Sequence, residues 1–392
     1  MNKKLISLLL SSIIAIVPFT SVVTSNSTLA YADEVSSASN SIDSEISKEI
    51  SKTSSLLSLR DSLGEWQVPS MVRLEKITNS QKQNIFNSIN ARIDAKYEDS
   101  YSSQMAKDIF MLTALNENPQ TYRNFDLINE MISKKDYIGS SNYEVWILIA
   151  TELNNYSISD ENKVLLNNMV EDILNCQSDN GGFGYSVDKQ WIDVDMTGMA
   201  IFALSSYENK TPEITNAIEN AKNYILSELE KAGGKFDNSN TTAMAILGLS
   251  SVGYDCADLA SNLLTYELED GSFVWQKTDA ESNDLSTEQA LYSLIQYSAS
   301  KLNKNIFDFR DKWTYSELLN NLNSGEDPAT TTPSEDPGTS TPTTTTPTAT
   351  TSTSTPGTST PTSDGARVAF LLSLLLGSTL ISKKSLRRNI ND

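Results

Sequence analysis

Asp193 and Asp195 stand just ahead of an apolar run led by Thr197, and Glu288 follows Thr287 in a similar run. Carboxyls in such places can donate or accept a proton, provided their surroundings set which form they hold. Tyr185, Trp191 and Trp275 add aromatic rings in the preceding Gly- and Asn-rich stretches. Around a concave mouth such rings suit flat or apolar ligands, and Trp or Tyr also suits sugars. Thr197, Thr242 and Thr287 either line that mouth or satisfy backbone groups locally. The candidate ligand-binding residues are thus Tyr185, Trp191, Asp193, Asp195, Thr197, Thr242, Trp275, Thr287 and Glu288. If the chain is an enzyme, Asp195 and Asp193 are the catalytic candidates; otherwise Asp195 reads as the cap of the helix that begins near Met196.

The chain has no histidine. That removes Ser-His-Asp and Cys-His nucleophile activation, His-ligated zinc and imidazole acid–base work. Cys176 and Cys256 form no CxxC pair, so no metal site and no cofactor is expected. One disulfide or two buried free thiols both fit these cysteines. A net charge of −20 repels phosphate backbones and argues against nucleic acid as a partner.

The elements that must position these residues announce themselves by a repeat. Thr197-Gly198-Met199-Ala200-Ile201 recurs 45 residues later as Thr242-Ala243-Met244-Ala245-Ile246, and after 45 more as Thr287-Glu288-Gln289-Ala290-Leu291. A leucine stands seven residues after each threonine, preceded by Ala203, Gly248 or Ser293. Fixed-period repetition signals stacked supersecondary units, and the small residues allow close helix packing. A weaker copy around Trp146, Ile149, Ala150 and Leu153 lies upstream, and a fainter one around Met111, Leu112, Ala114 and Leu115.

Helices apolar nearly all round are buried, whereas those with one apolar stripe cover them from outside. Six inner helices are predicted near 66–76, 101–116, 141–154, 195–207, 239–252 and 286–300, the first starting late or kinked at Pro69. Outer helices are predicted near 42–62, 78–95, 121–134, 160–176, 211–231, 256–269 and 306–322. This alternation predicts an all-α fold, an α/α toroid of six inner and six or seven outer helices, with an open superhelical array as the competitor. In a toroid the inner N-termini share one mouth, where their partial positive charge favours an anionic group and the aspartates offset part of it.

Gln177-Ser178-Asp179-Asn180-Gly181-Gly182-Phe183-Gly184 resembles the Gln-to-Gly-Gly-aromatic motif of the prenyltransferase and squalene-cyclase repeat. Gly233-Gly234-Lys235-Phe236 and Asp270-Gly271-Ser272-Phe273 look like matching loops before the next two inner helices. The resemblance spans about Trp66 to Ser300 and is closest to secreted Gram-positive members, which in turn resemble the α-domain of transcobalamin and intrinsic factor. It implies an α/α toroid and a corrinoid as the sharpest named ligand. The related cyclases protonate an alkene with an Asp-x-Asp-Asp motif. Asp195 matches the proton donor, but Met196 occupies the place of the last Asp. The zinc site of the protein prenyltransferases needs a histidine, which this chain lacks.

The ends point outside the cell. Lys3 and Lys4, an apolar stretch from Leu5 to Val23 and the Ala30-Tyr31-Ala32 site read as a signal peptide, residues 1–32. A linker, 33–40, then leads to the helical domain, 41–323. Residues 324–364 are Thr/Pro-rich and read as an extended, disordered stalk. Residues 365–392 hold the apolar run Val368 to Ile381 and a basic tail, which together resemble a cell-wall sorting signal. The common sortase motif is not matched there, and a plain membrane anchor is the alternative. The expected function is a cell-surface-anchored binding module for a corrinoid, another small molecule or a surface ligand. A carboxylate-dependent enzyme, terpenoid cyclase-like or polysaccharide-acting, and a structural or adhesive domain are the alternatives.

Overall fold

Local capping chemistry decides where the helices begin. A computed structural model describes residues 26–324 apart from Glu208. Every regular element among them is a helix, and extended pairing is confined to the isolated bridges Gln177–Phe183, Phe183–Asp193 and Glu267–Phe273. The odd-numbered helices up to α11 are α1 (Asn26–Ser58), α3 (Asn79–Asp94), α5 (Leu127–Ser133), α7 (Asp160–Asn175), α9 (Pro212–Lys231) and α11 (Ala257–Leu264). The even-numbered ones are α2 (Gln67–Arg73), α4 (Ser102–Ala114), α6 (Ser141–Glu152), α8 (Val194–Ser206), α10 (Ser239–Ser251) and α12 (Asp284–Ser300), and α13 (Tyr315–Ser324) follows. Thr78 and Gln81 form a reciprocal capping box at α3. Ser159 and Thr211 cap α7 and α9, and Pro212 opens α9 where its missing N–H costs nothing. Pro69 likewise lies in the first turn of the short α2.

The predicted inner ranges coincide with the even-numbered helices to within a few residues. α2 packs on α4, α4 on α6, α6 on α8, α8 on α10, α10 on α12, and α12 on α2. The odd-numbered helices flank this series: α5 against α4, α7 against α6, α9 against α8, α11 against α10, and α1 against α11 and α12. Two glycines set the tightest crossing. A Cβ on Gly198 would strike the carbonyl of Met244, and one on Gly248 would lie 2.6 Å from the carbonyl of Gly198. Where α1 meets the last repeat, Thr53 donates to the Gly271 carbonyl at 2.8 Å, and Lys52 bonds Glu267 at 2.8 Å and the Leu268 carbonyl at 3.1 Å.

Some ranges differ from the sequence reading. Residues 33–40, read as a linker, belong to α1. Only a 3-10 turn, Tyr122–Asn124, and α5 occupy the predicted 121–134 helix. The predicted outer helix 306–322 is helical only from Tyr315; residues 301–314 instead form a strap across the C-terminal ends of the inner helices. Residues 1–25 of the signal peptide, the stalk beyond Ser324 and the anchor lie outside the described residues.

Candidate functional site

The repeat that marks the inner helices also builds their N-terminal ends. Asp193, Asn238 and Asn283, again 45 residues apart, are the N-caps of α8, α10 and α12. Their side chains accept from the backbone N–H of Met196, Thr241 and Ser286 at 2.7, 2.8 and 3.0 Å. This corrects the assignment of the cap to Asp195: Asp193 keeps an extended backbone, while Asp195 is already inside the first turn. The three repeat threonines are fully buried and do not line the mouth. Thr197 and Thr287 accept from the N–H of Phe183 and Phe273, at 2.9 and 3.0 Å, and donate back to the cap carbonyls of Asp193 and Asn283. Thr242 donates to the Asn238 carbonyl at 2.7 Å. The Thr197 and Thr287 hydroxyls pin a loop to a helix start, and burial keeps all three from a ligand.

Two of the three glycine loops share one design. Gly181 and Gly271 adopt left-handed backbone, with Gly181 against the backbone of Asn220 and Gly271 against that of Lys52 and Thr53. Each loop then docks on the neighbouring inner helix: Ser141 donates to the Gly184 carbonyl and Ser239 to the Val274 carbonyl, both at 2.7 Å. Gly233-Gly234 is not a matching loop. Both residues have positive φ and end α9, with open space where a side chain would be.

Of the remaining site candidates, Asp193, Asp195 and Trp275 line one cleft of about 410 Å³ with Ile192, Val194, Tyr224, Glu228, Asn238, Asn240 and Thr241. Trp275 is 46% exposed and Trp191, held at φ 56°, is 77% exposed. Tyr185 is half-buried and bonds Asp193; burial, then the charge of Asp193, pushes its phenol up. Burial also raises the Asp193 carboxyl despite its helix-capping bond. It pushes Asp195 up to about 6, against the opposing hydrogen bond from Thr241.

Glu288 stands apart from the cleft, beside Gly64, Glu65 and Lys107. Burial, then the nearby Glu65 charge, pushes it up to about 8. Both Glu288 and Asp195 act on the buried Tyr292 phenol, whose ionisation they oppose after burial itself. Burial thus lifts Glu288 further above the usual carboxylate range than Asp195. The cleft lining contains three carboxyls and no lysine or arginine, so the acids outweigh the partial charge of the helix ends. The anionic ligand expected from helix dipoles alone does not suit it.

The C-terminal end of the inner helices is bridged by residues that escaped the sequence reading, with clefts of about 280 and 490 Å³ beside the bridge. Phe307 of the strap meets Phe110, Trp146, Phe202 and Tyr292, rings from four different inner helices, with centroids 5.2 to 6.5 Å apart. Arg73 of α2 donates to the carbonyls of Ile306, Asp308, Asp311 and Trp313 at 2.5 to 3.1 Å, between the rings of Phe309 and Trp313. The available signal was composition: Asn303, Asn305, Asp308 and Asp311 interrupt the apolar pattern with turn-forming side chains. Cys176 and Cys256 are both free and buried. Among the described residues no cluster could hold a metal ion. Comparison with family models, curated proteins and solved structures found no match.

Proposed function

We propose that this chain is an exported ligand-capturing module, an α/α toroid of the prenyltransferase and squalene-cyclase repeat type held at the cell surface by its stalk and C-terminal anchor. The cycle of inner neighbours returning from α12 to α2 supports the toroid over an open array, and the signal-like and anchor-like ends support the location. One observation carries the function. The N-terminal end presents a cleft that combines carboxyls, amides and a half-exposed tryptophan, while at the other end the space between the inner helices is filled by Phe307. A corrinoid fits this lining poorly, because its phosphodiester would face Asp193, Asp195 and Glu228. Thermal melting of the exported protein with corrinoids, glycans and isoprenoids tests the reading. A ligand that binds the folded state raises the melting temperature. Failure of every class to do so would leave an adhesive or purely structural domain.

A carboxylate-dependent enzyme is the second reading, favoured by one fact: Asp195 and Glu288 are pushed to different values, near 6 and 8, around the same tyrosine. Two carboxyls held in different protonation states at one pH can serve as base and acid. The aromatic filling beneath them weighs against a cyclase, which needs a deep apolar chamber, and leaves a polysaccharide-acting enzyme. Glu288→Gln should abolish any turnover of a polysaccharide; retained turnover removes Glu288 from the catalytic list.

A further inference from the structure

We infer that the ligand of the mouth cleft is a neutral glycan, stacked on Trp275 and gripped by the carboxyls and the Asn240 amide at the starts of α8 and α10. This rests on the reading of the mouth as the capture site and names the class of molecule captured.

The polar inventory of the cleft comes first. Asp193 uses one carboxylate oxygen as a cap, and Glu228 uses one on Lys231. Glu228 keeps a second oxygen that can accept from a ligand, while Asp193 also takes Tyr185 and Asp195 takes Thr241, which leaves each only the lone pairs beyond those bonds. Asn240 turns its carbonyl oxygen to the Ser286 hydroxyl, which donates to it at 2.6 Å. Its amide nitrogen donates to no protein group and remains available. The cleft lining thus offers several acceptors, three donors in the Asn240 amide, the Tyr224 hydroxyl and the Trp275 indole N–H, and no lysine or arginine. An anion is repelled, and an apolar ligand would strip water from the carboxyls without replacing their hydrogen bonds. A ligand rich in hydroxyl donors satisfies them, since each hydroxyl both donates to a carboxyl and accepts from an amide.

The apolar inventory selects among such ligands. Trp275 lines the cleft half-exposed, held by its main chain: its carbonyl accepts from the Ser239 N–H at 2.9 Å. The ring is therefore positioned without being covered. A large ring left in water beside hydroxyl-seeking groups matches a pyranose, whose axial C–H face is apolar and whose rim is polar. The volume of about 410 Å³ lies within the usual range for small-ligand sites, roughly 300–1,000 Å³.

The test uses the full exported chain and three neutral probes, chitopentaose, cellopentaose and maltopentaose, followed by titration calorimetry and tryptophan fluorescence. At least one should bind. Trp275→Ala and Asn240→Ala should each weaken it by about tenfold or more, the loss expected of a binding anchor. Asn155→Ala, in a cleft at the opposite end of the inner helices, should leave binding unchanged, and melting curves should show both mouth variants folded. Two results overturn the inference: no binding of any probe at millimolar concentration, or binding that survives both cleft substitutions. If cyanocobalamin or an isoprenoid binds instead and Trp275→Ala abolishes it, the mouth remains the capture site and only the glycan assignment falls.

Discussion

The two ends of the inner helices receive opposite treatment from the same chain. At the N-terminal end, three Asx caps satisfy the helix starts by local bonds, two glycine loops dock on neighbouring elements, and Trp191 and Trp275 are left facing solvent. At the C-terminal end, a strap from beyond the last inner helix crosses back to α2, and one buried arginine holds four of its carbonyls. The first end is capped within each repeat, and its loops are docked mainly through backbone carbonyls, which leaves side chains to spare. The second is held by long-range bonds, those of Arg73 to the strap spanning more than two hundred residues. A scaffold that is stabilised at one end is free to carry function at the other.

The sharpest way to break this comparison is to attack the closure. Arg73→Met would leave four carbonyls without their charged donor, and we expect it to cost about 2–4 kcal/mol in chemical denaturation, the scale of buried acceptors left unsatisfied. Phe307→Ala should cost a similar ~3–4 kcal/mol through the cavity left among four helices. If either variant melts like the parent, the strap is ornamental and the contrast between the ends fails.

Acidity should sharpen the contrast at an intermediate scale. Burial pushes Asp195 up to about 6, Glu144 and Glu267 up to about 7, and Glu288 up to about 8, with Glu267 also facing Glu49 across the α1 seam and bonded to Lys52. Each binds its proton more tightly when folded than when unfolded. The associated stability is fully present below the unfolded values near 4 to 4.5 and is lost as pH rises through 6 to 8. Allowing for partial solvent screening, we expect a fall on the order of 2 kcal/mol between pH 5 and 8. Glu267→Gln should flatten the slope near pH 7. A melting temperature that climbs over this range would contradict the burial described for these carboxyls.

Smaller effects distinguish structural from functional residues at the mouth. Thr287→Val removes the acceptor of the buried Phe273 N–H and should cost about 1–2 kcal/mol, while any ligand affinity that remains measurable is retained. Trp191→Ala, at a largely exposed side chain, should change stability by less than about 0.5 kcal/mol. A large destabilisation by the latter would make Trp191 a packing residue and remove it from the mouth.

Much of this was legible in the sequence because it is local. The 45-residue period, the small residues at Gly198 and Gly248 and the alternation of all-apolar with one-sided helices each depend on neighbours a few residues away. The acid before α8 was visible too, but which acid caps it was not. Asp193 and Asp195 both suit the role by type, and only the backbone, extended at Asp193 and helical by Asp195, separates them. The threonines were misplaced at the mouth for the same reason: their spacing shows that they recur, not which way they face.

The sequence by itself determined the helices, their order and the two design elements repeated at their starts, since helix capping and hydrophobic periodicity are short-range effects. Tertiary structure alone decided that α12 meets α2, that residues 301–314 close one end rather than continue as a helix, and that Asp195 shares an open cleft with Trp275. Those outcomes depend on burial and on bonds between residues distant in the chain, and Arg73 carries no local mark of the four carbonyls it will find.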